Sequence, residues 1–214
     1  MSEIAWSGKV LRKSSNPWHA GSWIVLAAWF VVVLVLGSNN FFVARPGAPP
    51  LTLLIAATAP VLVFLFSVSL SPAIRELVLG ADLRFGTAVH AWRVGGYSFL
   101  LLYAYGYLPG YFAWPAAVGD MFIGATAPLL LPKMTDPAFV RSRTFIAWNV
   151  VGILDLIVAV GMGALGSLLN SNPSGLSPTT IMSQMPLVLI PTFFVPLFVM
   201  LHVIALLQAR RSTK

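Results

Sequence analysis

The chain of 214 residues contains no cysteine and only six acidic side chains. The first absence excludes disulfides, thiolate metal sites, iron–sulfur clusters, cysteine nucleophiles and lipidated cysteines. The second is part of a wider shortage: charged residues make up 9% of the chain, where a soluble domain carries about 25%. So few charges cannot cover a water-facing surface. Also missing are a phosphate-binding loop, a local Ser-His-Asp signature and a His-Glu-x-x-His zinc motif, so no catalytic motif is recognised. Gly161-Met-Gly-Ala-Leu-Gly166 matches the dinucleotide fingerprint in letters alone, since no strand precedes it.

What is present is hydrophobic residue. It forms 58% of the chain, with a mean hydropathy of +0.86, which marks an integral membrane protein. A helix needs about 20 apolar residues to cross roughly 30 Å of hydrocarbon. Six stretches meet that length: about 18–38, 50–70, 89–108, 114–131, 144–166 and 186–209. The expected fold is an all-α, six-helix transmembrane bundle in a single domain, 1–214. Ser71 and Pro72 give a helix start and Gly80 a stop, so a short amphipathic helix is expected along the interface between spans two and three.

The net charge of +7 would suggest nucleic acid in a soluble protein. Here it follows the loops. Lys9, Arg12, Lys13, Arg75, Arg84, Arg93, Lys133, Arg141, Arg143, Arg210, Arg211 and Lys214 fall on one side of a six-span arrangement, and Arg45 alone on the other. The positive-inside rule then places both termini in the cytoplasm. The expected partner is the lipid bilayer, with no nucleic acid, and a homo-oligomer or a larger membrane complex is compatible. The basic segment before the first span resembles a secretory signal, but its apolar run is longer and no small-x-small site follows, so it reads as an uncleaved anchor. The uncharged loop 167–185 is expected outside, with Ile181 and Met182 dipping into the membrane surface.

Charges inside a bilayer are costly and therefore mark functional candidates. Asp155 is expected near the midplane, Asp120 about 9 Å from the outer face, and Arg93 in the cytoplasmic third of span three. With Asn149 and Tyr97 they form the expected ligand-binding set: a polar cluster for an ion, a proton or a small polar ligand. The competing reading is a structural pair holding helices together. His19, His90 and His202 all lie toward cytoplasmic helix ends, and His90 with His202 could ligate the iron of a haem b. The five tyrosines, Tyr97, Tyr103, Tyr105, Tyr107 and Tyr111, read as an external aromatic belt or an aromatic-lined pocket, with Tyr97 too deep for the belt. Gly152 and Ala159 with the Gly161–Gly166 stretch, and the pair Gly106 and Gly110, read as small residues for close helix packing.

Ala91-Trp-Arg-Val-Gly-Gly96, Gly106-Tyr-Leu-Pro109, Phe112-Ala-Trp-Pro115 and Gly119-Asp120 resemble a pattern found in small bacterial polytopic inner-membrane proteins of uncharacterised activity. The resemblance covers spans three and four. It implies a multi-pass fold in the inner (plasma) membrane and no activity, and it draws attention to Arg93 and Asp120. The resulting expectation is a small permease, proton-coupled carrier or ligand-binding membrane component. The alternatives are a haem-b redox protein and a noncatalytic subunit of a membrane complex.

Overall fold

Long apolar runs in this chain become helices, in which a backbone away from water satisfies its own hydrogen bonds. The computed structural model describes residues 20–45, 48–168 and 178–211. Helices α1 (Ala20–Ser38) and α2 (Leu51–Leu70) come first, then the short α3 (Pro72–Leu79) and α4 (Leu83–Val89). A 3-10 segment, His90–Gly96, leads into α5 (Tyr97–Ala104), and α6 (Gly110–Leu130) follows. After the one-turn α7 (Pro137–Val140) come α8 (Arg143–Leu168), a π turn at Ile190–Phe194 and α9 (Val195–Arg211). No strand occurs among the described residues.

Four helices are long and apolar enough to cross a membrane: Gly21–Ser38, Leu51–Leu70, Arg143–Ser167 and Ile190–Arg211. This corrects the expectation of six uninterrupted spans, and the reasons are local. The expected span 89–108 begins earlier, at Leu83, because the Asp82 carboxylate accepts from the Arg84 and Phe85 N–H groups at 2.9 and 3.0 Å and caps α4. It then tightens into the 3-10 segment, so α4 and α5 are each short. The expected span 114–131 is one continuous helix that starts at Gly110, but Asp120, Pro115 and Pro128 dilute its apolar character. Lys9, Arg12, Lys13, His19 and Lys214 lie outside the described residues, as do residues 169–177 of the expected outer loop.

The short helix after α2 is as its end signals require. Ser71 Oγ accepts from the Ile74 N–H at 3.4 Å, Pro72 opens the helix, and Gly80 ends it. Met182 does not dip toward a membrane surface: it is buried in an apolar cluster with Phe99, Leu108 and Phe112. Gly106 serves a turn rather than packing, since it takes φ +75° between α5 and α6, a conformation glycine adopts without penalty. Gly161 also has open space around it.

At the start of the last span Pro196 lacks the N–H that would continue the ladder. The backbone accommodates this by widening, and the Val195 N–H reaches back five residues to the Ile190 carbonyl. The interior is built from α6 against the 3-10 segment, α5 and α8, with α9 packed on α8 and α2. Helix α1 touches this body through Trp29 and Phe30, whose rings meet Phe193 at 4.6 and 5.0 Å, and through Trp23 against Phe85.

Candidate functional site

A 3-10 helix turns once every three residues. His90, Arg93 and Gly96 therefore form one stripe along the 3-10 segment, and all three are buried. In an α-helix His90 and Gly96 would face in different directions. The interruption of the expected third span is thus what aims Arg93 into the bundle. It also turns Tyr97 outward: at 52% exposure Tyr97 stands outside the polar cluster it was expected to join.

Arg93 is 2% exposed and its guanidinium is bonded on every side. Nε donates to Asp120 Oδ1 of α6 at 2.6 Å. Nη2 donates to Asp155 Oδ2 of α8. Nη1 donates to the Gly152 carbonyl at 3.4 Å and lies 3.2 Å from His202 Nε2. Its Cζ lies 5.7 Å from the centre of the Phe198 ring, within cation–π range.

These contacts fix the state of His202. A guanidinium has donors only, so His202 Nε2 must accept and carry no proton. The ring hydrogen then sits on Nδ1, which donates to Asn149 Oδ1 at 2.9 Å. Asn149 Nδ2 in turn donates to the Phe145 carbonyl at 2.9 Å, which is consistent with that orientation of the amide. His90 stacks on His202 with ring centres 3.9 Å apart and planes 21° from parallel. Its Nδ1 has no hydrogen-bond partner among the described residues.

Glycines make the room. A Cβ on Gly119 would overlap the Asp155 carboxylate, one on Gly96 would press on Asp120, and one on Gly152 would strike the His202 ring. At Gly124 the obstacle is backbone, the Val94 nitrogen and Arg93 carbonyl carbon. Of these, Gly96 and Gly119 lie in the stretches that carry the resemblance, whereas Gly124 carries no signal in the sequence beyond lying within a few residues of Asp120.

Of the expected site residues, Arg93, Asp120, Asn149 and Asp155 meet, and His90 and His202 join them. The histidine pair does not fit haem. Its rings lie face to face with no gap for a porphyrin and iron, and both His202 nitrogens are already engaged. No group of three or more His, Asp and Glu suited to a metal ion occurs among the described residues. Tyr103, Tyr105, Tyr107 and Tyr111 are all exposed.

The cluster is closed except at its carboxylates, where the side chain of Asp120 is 17% and that of Asp155 10% exposed. Asp120 lines a cavity of about 50 Å³ together with Phe112, Gly163, Thr179 and Ser183. A cavity needs roughly 10–15 Å³ per water molecule, so this one admits water and little else.

The fold and the site together define an all-helical protein, with four helices fit to cross a membrane, organised around one arginine shared by two aspartates. The chain belongs to the family described as a domain of unknown function, DUF8737, whose model matches residues 50–210. That match contains every residue of the cluster. No curated protein and no solved structure matches the chain.

Proposed function

We propose that this is a six-crossing protein of the bacterial inner membrane, with cytoplasmic termini, that works as a small proton-coupled carrier with Asp120 as its proton-exchanging group. Depth supports the six crossings. Asp155 is the central residue of the Arg143–Ser167 span, twelve residues from either end, or about 18 Å. Arg93 bonds to Asp155 and to Asp120 alike, so the three side chains lie at a similar depth. Asp120 is the central residue of α6, and Arg93 is central to the run Leu83–Ala104. Both runs therefore pass through the midplane like the other four.

Charge balance supports the proton. One guanidinium faces two carboxylates, so the fully ionised cluster carries one negative charge in a medium where net charge is costly. One proton makes it neutral. The observation that carries the reading is the position of Asp120, the carboxylate that lines the water-sized cavity. Protonating Asp120 cancels its ion pair with Arg93 Nε while Asp155 keeps the guanidinium neutralised. The electrostatic tie between α6 and the 3-10 segment is then lost, and the proline-bounded α6 can shift to admit a small polar solute.

The test is infrared difference spectroscopy of the protein in lipid vesicles, scanned across about pH 4 to 9, a range that brackets ordinary and raised carboxylate titration. A carboxylic-acid carbonyl band that appears on acidification and vanishes in Asp120→Asn is expected. Absence of any such band, or its persistence unchanged in Asp120→Asn, would overturn the assignment.

A further inference from the structure

We propose that a second cavity, at the opposite end of the bundle from the Asp120 opening, binds one acyl chain of an anionic phospholipid whose phosphate is held by Arg75 and Arg84. This cavity lies between α1, α2, α3, α4 and α9 and has a volume of about 640 Å³. Leu26, Phe64, Leu77, Val89 and Leu201 are among its walls, and among the described residues Ser22, Ser67 and the indole of Trp23 supply its polar side-chain atoms. Protein interiors are close-packed, and an apolar void does not hold water. In a bilayer a space of this kind is filled by hydrocarbon.

The rim says which hydrocarbon. Ile74, Leu77, Val78 and Ala81 turn one face of α3 and its end into the cavity, which leaves Arg75 on the flank and exposed. Phe85 and Val89 of α4 also point in, and Arg84 beside them is exposed. Neither arginine makes an ion pair among the described residues, whereas Arg211 is paired with Glu76 at 3.3 Å. Gln208 Nε2 donates to the Val78 and Ala81 carbonyls at 3.3 and 2.9 Å and holds the α3–α4 joint against α9. Trp23 and Phe85 meet edge to face at 6.3 Å across the cavity. A long apolar slot with two unneutralised guanidiniums at its rim matches a molecule with an anionic head and a long apolar tail. An apolar helix from a second copy of the chain would fill the slot and leave both arginines unneutralised.

Brominated acyl chains quench tryptophan on contact, and Trp23 lines the cavity. The full chain is titrated with brominated phosphatidylglycerol or with phosphatidylcholine bearing the same chains, and the Trp23 component is identified by its loss in Trp23→Phe. Quenching is expected to saturate at one phosphatidylglycerol per chain, with phosphatidylcholine requiring a much higher concentration. An arginine near an anionic lipid surface is worth about fivefold in affinity, so Arg75→Gln with Arg84→Gln should lower phosphatidylglycerol binding about 30-fold, to the phosphatidylcholine level. Ala81→Phe, which narrows the cavity without adding a tryptophan, should weaken quenching of Trp23 by both lipids. Equal affinity for the two lipids, unchanged selectivity in the double arginine variant, or no quenching of Trp23 by either lipid would overturn the proposal. The last outcome would mean that something other than lipid fills the space.

Discussion

Helix α2 and the Ile190–Arg211 span are nearly equal in hydropathy, yet 11% of the first and 44% of the second is buried inside the protein. In water the more buried helix would be the more apolar. In a bilayer lipid is as apolar as leucine, so hydropathy gives no inward drive. What draws the last span inward is its polar and irregular content. It carries the π turn and Pro196, His202 engaged with Arg93 and Asn149, and Gln208 fastened to the α3–α4 joint. In α2 the hydroxyls of Thr58 and Ser69 donate to their own helix, to the Leu54 and Leu65 carbonyls at 2.8 Å. These two hydroxyls are served within α2 itself. Helix α1 is equally peripheral, 11% buried, and it also lies outside the matched family region 50–210.

The comparison breaks most sharply at Arg93. Replacing it by leucine leaves two carboxylates at mid-bundle without a cation, and removing one partner of a buried ionic group costs about 3–5 kcal/mol. Arg93→Leu should therefore unfold far more easily in mixed-micelle or thermal titrations. Val63→Ala on the exposed face of α2, where Val63 is 65% exposed, should move stability by less than about 0.5 kcal/mol. Replacing all three of Arg93, Asp120 and Asp155 by apolar residues of similar volume should recover most of the loss, because an intact buried ionic group is often no more stable than its apolar substitute. If Arg93→Leu melts within about 1 kcal/mol of the natural chain, the cluster does not hold the interior together and the contrast between α2 and the last span has another cause.

Glycines sharpen the same contrast at smaller scale. At Gly124 a Cβ would meet the Val94 and Arg93 backbone, which cannot rotate away, whereas at Gly161 nothing lies within 4 Å. Gly124→Ala should cost about 1–3 kcal/mol, the usual range for overpacking, by prying α6 from the 3-10 segment. Gly161→Ala should raise stability by up to about 1 kcal/mol through helix propensity. Equal effects at the two sites would mean that α6 and the 3-10 segment do not approach as closely as this.

Much of this was legible in the sequence, and for physical reasons. Long apolar runs announce α1, α2, α8 and the last span because hydrocarbon thickness sets their length. Arg93, Asp120 and Asp155 stand out because so few charges lie within apolar runs, and the other acids account for themselves. Asp82 and Asp136 cap helices, accepting from the Arg84 and Ala138 N–H groups, and Glu76 pairs with Arg211, while Glu3 lies outside the described residues. The starts of the helices that carry Arg93 and Asp120 lie earlier than apolar content suggests, at Leu83 and Gly110. Asp82, a favoured N-cap residue, was the available signal for the first. The change to a period of three, which brings His90 in and turns Tyr97 out, has no local mark, since α6 packing against that segment is a tertiary event.

The smallest effect concerns the two stacked imidazoles, which share depth and surroundings but differ in hydrogen bonding. His90 has edge contacts to Trp148 and a tilted contact to Phe198, at 5.6 and 5.4 Å, and its Nδ1 is unpartnered. A buried polar atom without a partner carries a desolvation cost of about 1–3 kcal/mol. Phenylalanine at this position keeps a ring in the stack and removes that cost, so His90→Phe should be neutral or stabilising by about 1 kcal/mol. His202→Phe should be destabilising by at least about 2 kcal/mol, because it strips an acceptor from Arg93 and a donor from Asn149, and both partners stay buried. Parallel melts of the two variants check this directly. Equal losses would mean that His90 Nδ1 bonds to a water or a solute in the working protein, and the polar cluster would then extend one residue beyond His202, further from the Asp120 cavity.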